Sequence, residues 1–273
     1  MLKISEIYIY PIKSLGGISV NQAEVTDRGF KYDRRWMLID DNNRFLSQRE
    51  VATMALLKVS LSEDGLNVVN TTDGNNLFVP YTPQKNEFFD VTIWDDTCTT
   101  QLVSDEADKW FTQALGINCK LVYMPDDSHR LTDARYADNI TSLSDGYPFM
   151  MIGQASLDEL NGHLDEALSI NRFRPNMVFT GGTPYQEDRI NEFTINDISF
   201  NGVKLCARCN VTTINQDDAS KGKEPLKTLA GYRSKNKKIY FGQNVVHTGV
   251  GVVNVGDELI VLSTHNEERF IIS

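Results

Sequence analysis

Short strand-like runs, recurring along almost the whole chain and punctuated by Gly, Pro, Asn and Asp, constrain this sequence most. Ile7–Tyr10 ends at Pro11, which removes a ladder donor. Ile18–Val25 alternates loosely. Trp36–Ile39 runs into Asp-Asp-Asn-Asn (40–43) and then Arg44-Phe-Leu46, a hairpin pattern whose turn residues tolerate positive φ. A second hairpin is expected around Asp73-Gly74, between Leu66–Val69 and Leu77–Val79. Further strands are expected at Met177–Phe179, Phe193–Ile195 and Val211–Ile214. A last pair, Val252–Val253 and Leu259–Leu262, is joined by a turn at Gly256-Asp257.

Only two segments carry a helical period. Ser104 is placed to cap a helix with Asp105 and Glu106 in its first turn, apolar residues at Ala107, Trp110, Phe111, Ala114 and Leu115, and Gly116 as its stop. The second opens on Ser156-Leu-Asp-Glu159, a capping box, with Leu157, Leu160, Leu164 and Leu168 as its stripe. Many short strands with few helices predict an α+β, β-dominated chain: a β-barrel-like N-terminal domain (1–122), then a second β-barrel domain (123–273) with covering helices.

Charge narrows function. The 273 residues carry a net charge of −10, against the basic stripe of a nucleic-acid binder. No apolar run approaches the roughly 18 residues of a membrane span, and the start is not a signal peptide. A cytoplasmic protein is expected, and in a reducing compartment its cysteines stay free. Cys98 and Cys119, among strand-like residues, read as small core side chains.

Leu-Cys-Ala-Arg-Cys-Asn-Val-Thr-Thr (205–213) is different. Its Cys-x-x-Cys has no second pair to complete a zinc site, and His129, His163, His247 and His265 offer no His-x-x-x-His spacing. A redox pair wants its first Cys at a helix N-terminus, whereas strand formers follow this one. An iron–sulfur cluster generally asks for four thiolates. A single thiolate bound to a metal that brings its own organic ligand is the fourth option, with Arg208 beside it to favour ionisation. The basic residues gather in motifs suited to an anion. Lys13 and Ser14 precede Gly16-Gly17 at a strand end, Arg34 lies in Asp-Arg-Arg, and Arg174 lies in Asn-Arg-Phe-Arg-Pro-Asn (171–176). Together they read as a cradle for a phosphate-bearing ligand.

In order and spacing these pieces resemble MOSC-domain proteins with an attached N-terminal β-barrel domain, the group that includes the mitochondrial amidoxime-reducing component and its bacterial relatives. The matching pieces are Tyr-Pro-Ile-Lys-Ser (10–14), Asp-Arg-Arg-Trp-Met-Leu (33–38), Trp-Asp-Asp-Thr-Cys (94–98), Ser-Asp-Gly-Tyr-Pro-Phe (144–149), Arg-Phe-Arg-Pro-Asn (172–176) and Cys-Ala-Arg-Cys-Asn-Val-Thr-Thr (206–213). Glu-Pro-Leu-Lys-Thr-Leu (224–229), Phe-Gly-Gln-Asn (241–244) and Val-Gly-Asp (255–257) complete them.

The resemblance implies a molybdenum cofactor, a mononuclear molybdopterin complex, with Cys209 as the metal ligand and Cys206 as structure. It implies that Lys13, Ser14 and Arg34 hold the cofactor from the first domain, and Arg174, Asn176 and Arg208 from the second. Asp145 joins them from a matching loop, and Asn244 stands where some relatives carry an aromatic residue. The implied activity is reduction of small N-hydroxylated substrates (amidoximes, hydroxylamines, N-hydroxylated bases), with Arg208 and Asn176 stabilising charge on the departing oxygen. The electrons are expected from a separate reductase, a flavin or iron–sulfur protein, since no cluster-binding cysteine set follows the last strand. The acidic surface suggests a basic partner face. Two other readings within the family are a persulfide sulfur carrier, related to the pyridoxal-phosphate-linked sulfur-transfer proteins, and a module that binds or delivers the cofactor without turnover.

Overall fold

The computed structural model describes residues 1–266. Seven strands of one sheet curl into a closed barrel. The strands are β1 (Leu2–Ile9), β2 (Phe149–Gly153), β3 (Met177–Thr180), β4 (Ile190–Ile195), β5 (Ile198–Ala207), β6 (Lys238–Thr248) and β7 (Glu258–Thr264). They run β2-β3-β1-β7-β4-β5-β6, and β6 pairs back onto β2 to remove the edges. Every pairing is antiparallel except β2 with β3. Phe149, Met151, Met177 and Phe179 point into the barrel with Phe193, Phe200 and Val245. Their alternates Met150, Ile152 and Val178 point outward, under a cover that includes Leu157, Leu160 and Leu229.

The pairing crosses the boundary expected near residue 122. Strand β1 is a stave of the barrel otherwise built from residues 149–264, bonded to β3 on one side and β7 on the other. Gln22–Thr26 pairs with Gly251–Asn254. The alternation of Leu2, Ile4, Ile7 and Ile9 marks a strand, but nothing local says which sheet takes it. Between these attachments, residues 36–123 form a four-stranded sheet and a three-stranded sheet. In the first, Trp36, Leu38 and Leu121 face one core and Met37, Ile39 and Val122 another, so both faces are covered.

Helix α1 (Asp105–Leu115) is capped as expected: the Ser104 hydroxyl accepts the Ala107 N–H, and Gly116 ends it in the left-handed region at φ 68°. The hairpins at 40–43 and 73–74 form, with Asn43 and Gly74 at positive φ. Cys98 and Cys119 are buried.

Three local expectations fail. Helix α2 (Gln154–Asn161) starts two residues before Ser156 and stops at Gly162, so Ser156 is no cap and Leu164 and Leu168 lie beyond the helix. The Ser156 hydroxyl instead accepts the Tyr185 N–H and donates to Glu187 Oε2 at 2.8 Å. The last two strands do not pair with each other: Gly251–Asn254 turns to Gln22–Thr26, and β7 goes into the barrel. Residues Val211–Ile214 are not a strand; Asn210–Thr213 is a 3₁₀ turn. Both threonines fold back on it, Thr212 Oγ1 to Cys209 O at 3.0 Å and Thr213 Oγ1 to Asn210 O at 2.8 Å. Such local bonds compete with the β preference of branched residues. Among the described residues no helix is long and apolar enough to cross a membrane. Helix α3 (Leu226–Ala230) packs Leu229 onto the barrel wall.

Glu187 is fully buried, with Oε2 on Ser156 and no partner for Oε1. Burial, reinforced by the charge of Asp188, pushes its carboxyl up from 4.5 to about 7. The folded protein therefore holds a proton that the unfolded chain gives up between those values. Stability is lost as pH rises through that window. Glu187→Gln is expected to raise the melting temperature at about pH 8 and to change it little at about pH 5, which thermal unfolding at the two values measures.

Candidate functional site

The loop that follows β1 brings the two halves of the site together. Ile12 bridges to Trp36, Lys13 N–H bonds Trp36 O, and Arg34 N–H bonds Tyr10 O at 2.9 Å. A cleft of about 140 Å³ opens at this junction. Lys13, Ser14, Arg34, Asp145, Arg174, Asn176, Arg208 and Cys209 all line it, as do Cys206 and Asn244. Ser14, Arg34 and Arg174 are held at φ 68°, 48° and 55°, a region non-glycine residues seldom occupy and one that clusters at ligand sites.

Five cations line the cleft (Lys13, Arg34, Arg49, Arg174 and Arg208) against one carboxylate, Asp145. Lys13 is 5% exposed and pairs with Asp145 at 2.6 Å; burial lowers its ammonium to about 8 against the pull of that carboxylate. Arg34 donates to buried Asp33 at 2.7 Å and to Asn176 Oδ1 at 3.0 Å. The guanidiniums of Arg34 and Arg174 lie 4.2 and 4.3 Å from the Tyr10 ring centre. Burial lowers Arg174 to about 10, so it stays charged at neutral pH. Among the described residues no group accepts a hydrogen bond from the Arg174 guanidinium, which leaves its fork of donors for a ligand.

The cysteine motif departs from its strand at an irregularity. The β5–β6 register shifts between Leu205 and Ala207, where β6 carries the extra residue: Cys206 stands opposite Phe241 and Gly242, and Ala207 pairs with Tyr240. Arg208 N–H then bonds Ile239 O, and Cys209 leads into the 3₁₀ turn. The thiol expected on a rigid strand thus sits two residues beyond the strand end. Arg208 does not serve Cys209 as expected: its guanidinium donates to Cys206 Sγ at 3.0 Å and to Phe173 O at 2.5 Å. Cys209 is partly buried, and its sulfur makes no hydrogen bond among the described residues. No three His, Cys, Asp or Glu side chains among those residues converge to hold a metal alone. A metal here needs a ligand of its own besides the one thiolate.

Asn176, expected to act on the reacting oxygen, is committed to the framework. Its Oδ1 accepts from Arg34 and from Met150 N–H, and its Nδ2 donates to Tyr8 O. Gly16 and Gly17 do not line the cleft. Gly16 N–H is bonded to Leu57 O, and a Cβ on Gly17 would meet the Tyr10 ring at 2.3 Å, so these glycines serve packing. Arg49 was not anticipated. It lines the cleft, stacks 4.1 Å from the Trp94 ring, and leaves its buried Nε without a partner. Its Ser-Gln-Arg-Glu surroundings carry no anion-binding signal; only the fold brings Trp94 to it. Ser144 and Tyr147 also line the cleft, on the matching 144–149 segment.

The MOSC N-terminal beta barrel domain matches residues 1–118 and the MOSC domain matches residues 138–260. Mouse mitochondrial amidoxime-reducing component 1 is 30% identical over 279 residues, covering 95% of this chain and 82% of that protein. The bovine mitochondrial amidoxime reducing component 2 is 30% identical over 93% of this chain and 81% of its own length. The molybdenum cofactor sulfurase of rice is 29% identical over 88% of this chain, but only 32% of that protein is covered.

Proposed function

The chain belongs to the family of MOSC proteins with a MOSC N-terminal beta barrel, alongside the mitochondrial amidoxime-reducing components, and on that premise we propose that it is a molybdenum-cofactor-dependent reductase of small N-hydroxylated compounds. The observation that carries the reading is the lone, unpartnered Cys209 thiol beside a cleft lined by five cations. A cofactor with an anionic phosphate and its own sulfur ligands fits that donor set, and a bare metal ion does not.

In this reading Cys209 supplies the one protein sulfur. Lys13, Arg34 and Arg174 neutralise the phosphate, and the two arginines offer paired donors. Ser14 adds a hydroxyl at the same wall. Asn176 and Asp33 keep Arg34 aimed at the cleft. Arg208 ties the Cys206 sulfur to the Phe173 carbonyl and so fixes the chain just before Cys209. When bound, the group supplies the two-electron chemistry by which N–OH, with two electrons and two protons, becomes N–H and water. The electrons come from a separate flavin or iron–sulfur protein, and a cytoplasmic setting goes with that partner.

The test is molybdenum and pterin analysis of protein purified from a host that makes the cofactor, beside reduction of benzamidoxime with dithionite and a viologen. Stoichiometric molybdenum and pterin with turnover are expected. A metal-free protein carrying a cysteine persulfide would establish the sulfur-carrier reading instead, and bound cofactor without turnover a delivery role.

A further inference from the structure

A second hollow adjoins the cleft, and its charged lining is all of one sign. Arg49, Lys221, Lys223 and Lys227 line it, with Asn210 and Thr213 and no carboxylate. This stands out in a chain of net charge −10. The three lysines are exposed. Among the described residues Lys221 and Lys223 form no ion pair, and Lys227 reaches Glu224 only at 4.0 Å. The carboxylates of Asp165, Glu166 and Glu224 line a further hollow that shares these lysines but not Arg49.

Lys221 and Lys223 hang from a loop that is firmly held, and Lys227 from helix α3. Gly222 N–H bonds Thr213 O at 2.9 Å and Asn215 N–H bonds Ser220 O at 2.8 Å. The Gln216 amide is paired with that of Gln48 across the two halves of the molecule. The hollow is continuous with the cleft: Arg49 lines both, and Asn210 is the residue after Cys209. Consecutive Cα atoms lie about 3.8 Å apart, so the lining of the hollow begins at Asn210, one residue from the thiol.

Resting on the reductase reading above, we propose that this hollow and its three lysines form the docking surface for an acidic one-electron carrier protein, of the iron–sulfur or flavin class, which gives up its electron to the cleft. Two visits by the reduced carrier supply the two electrons of one turnover, and each leaves the carrier oxidised by one. The partner's face is acidic, the opposite of what the overall charge suggests. Exposed lysines are hydrated point charges on flexible stems, not a preorganised fork, which suits a transient encounter steered by charge over a fixed phosphate subsite. Transient redox encounters have small interfaces and take their rate from such steering.

The test uses the holoenzyme, a reduced acidic two-iron ferredoxin as donor, and the triple variant Lys221→Glu, Lys223→Glu, Lys227→Glu. Ferredoxin-driven benzamidoxime reduction at low salt is expected to fall about tenfold or more. The wild-type rate should decline as salt is added, while the variant's, freed of like-charge repulsion, should rise. Viologen-driven turnover should be equal in the two proteins. The proposal is overturned if the variant keeps the wild-type ferredoxin-driven rate, or if its only defect is lost binding of inorganic phosphate. Failure of the reductase reading is distinct, because the wild type would then be inactive with viologen as well, and loss of ferredoxin binding by the variant at low salt would still read the docking surface.

Discussion

Cys209→Ala is expected to abolish N-reduction while the fold survives. The residue is partly buried and its sulfur bonds to no protein group among the described residues, so its loss leaves no buried donor or acceptor unpaired. Surface changes of that kind usually stay within about 0.5 kcal/mol. The activity loss should exceed the tenfold to about hundredfold typical of residues that only orient a metal ligand. Cys206→Ala is the informative contrast. Cys206 packs beside the outer core and accepts from Arg208, so its loss should cost about 1 kcal/mol of stability and leave most of the turnover. Thermal unfolding, molybdenum content and viologen-driven turnover on the two variants separate the roles. Equal activity losses would sink the assignment of one ligand and one structural cysteine.

That contrast marks how far the sequence could be read. The motifs around Lys13, Arg34, Arg174 and Cys209 each announce an anion or a metal, and the fold gathers all of them into one cleft. Short-range chemistry was legible because it is written in adjacent residues: the Ser104 cap, the Gly116 stop and the Asp73-Gly74 turn depend on neighbours alone. What was not legible depends on partners distant in sequence. Arg49 needs Trp94, and Arg208 turns to the Cys206 sulfur and the Phe173 carbonyl instead of Cys209. The turn after Cys209 was misread for a different reason: β-branched residues promise a strand, and two threonine hydroxyls satisfy the backbone first. Net charge excluded a nucleic-acid binder and left the basic residues to gather locally, and five of them line the cleft.

Gly17→Ala should couple the fold to the site most directly. An added Cβ would stand 2.3 Å from Tyr10 Cε1 and 2.8 Å from Cδ1, well inside contact distance. The ring has little room to yield, because Tyr10 is 2% exposed and its hydroxyl is tied to Pro175 O at 3.0 Å. Overpacking of this kind costs about 1–3 kcal/mol. The ring is also what the Arg34 and Arg174 guanidiniums rest on, so shifting it moves both cleft-lining arginines. Arg34 gives way at the further expense of its bond to Asn176, which also holds the β2 backbone at Met150. The purified variant should therefore retain under a tenth of the wild-type pterin, on the order of the loss when an orienting residue is removed. Tyr10→Phe keeps the ring and gives up only the Pro175 bond, so it should lose about 1 kcal/mol of stability and keep its pterin. If Gly17→Ala destabilised the protein but bound pterin normally, the Tyr10 ring would be a core residue alone, and the arginines would owe their positions to Asp33 and Asn176.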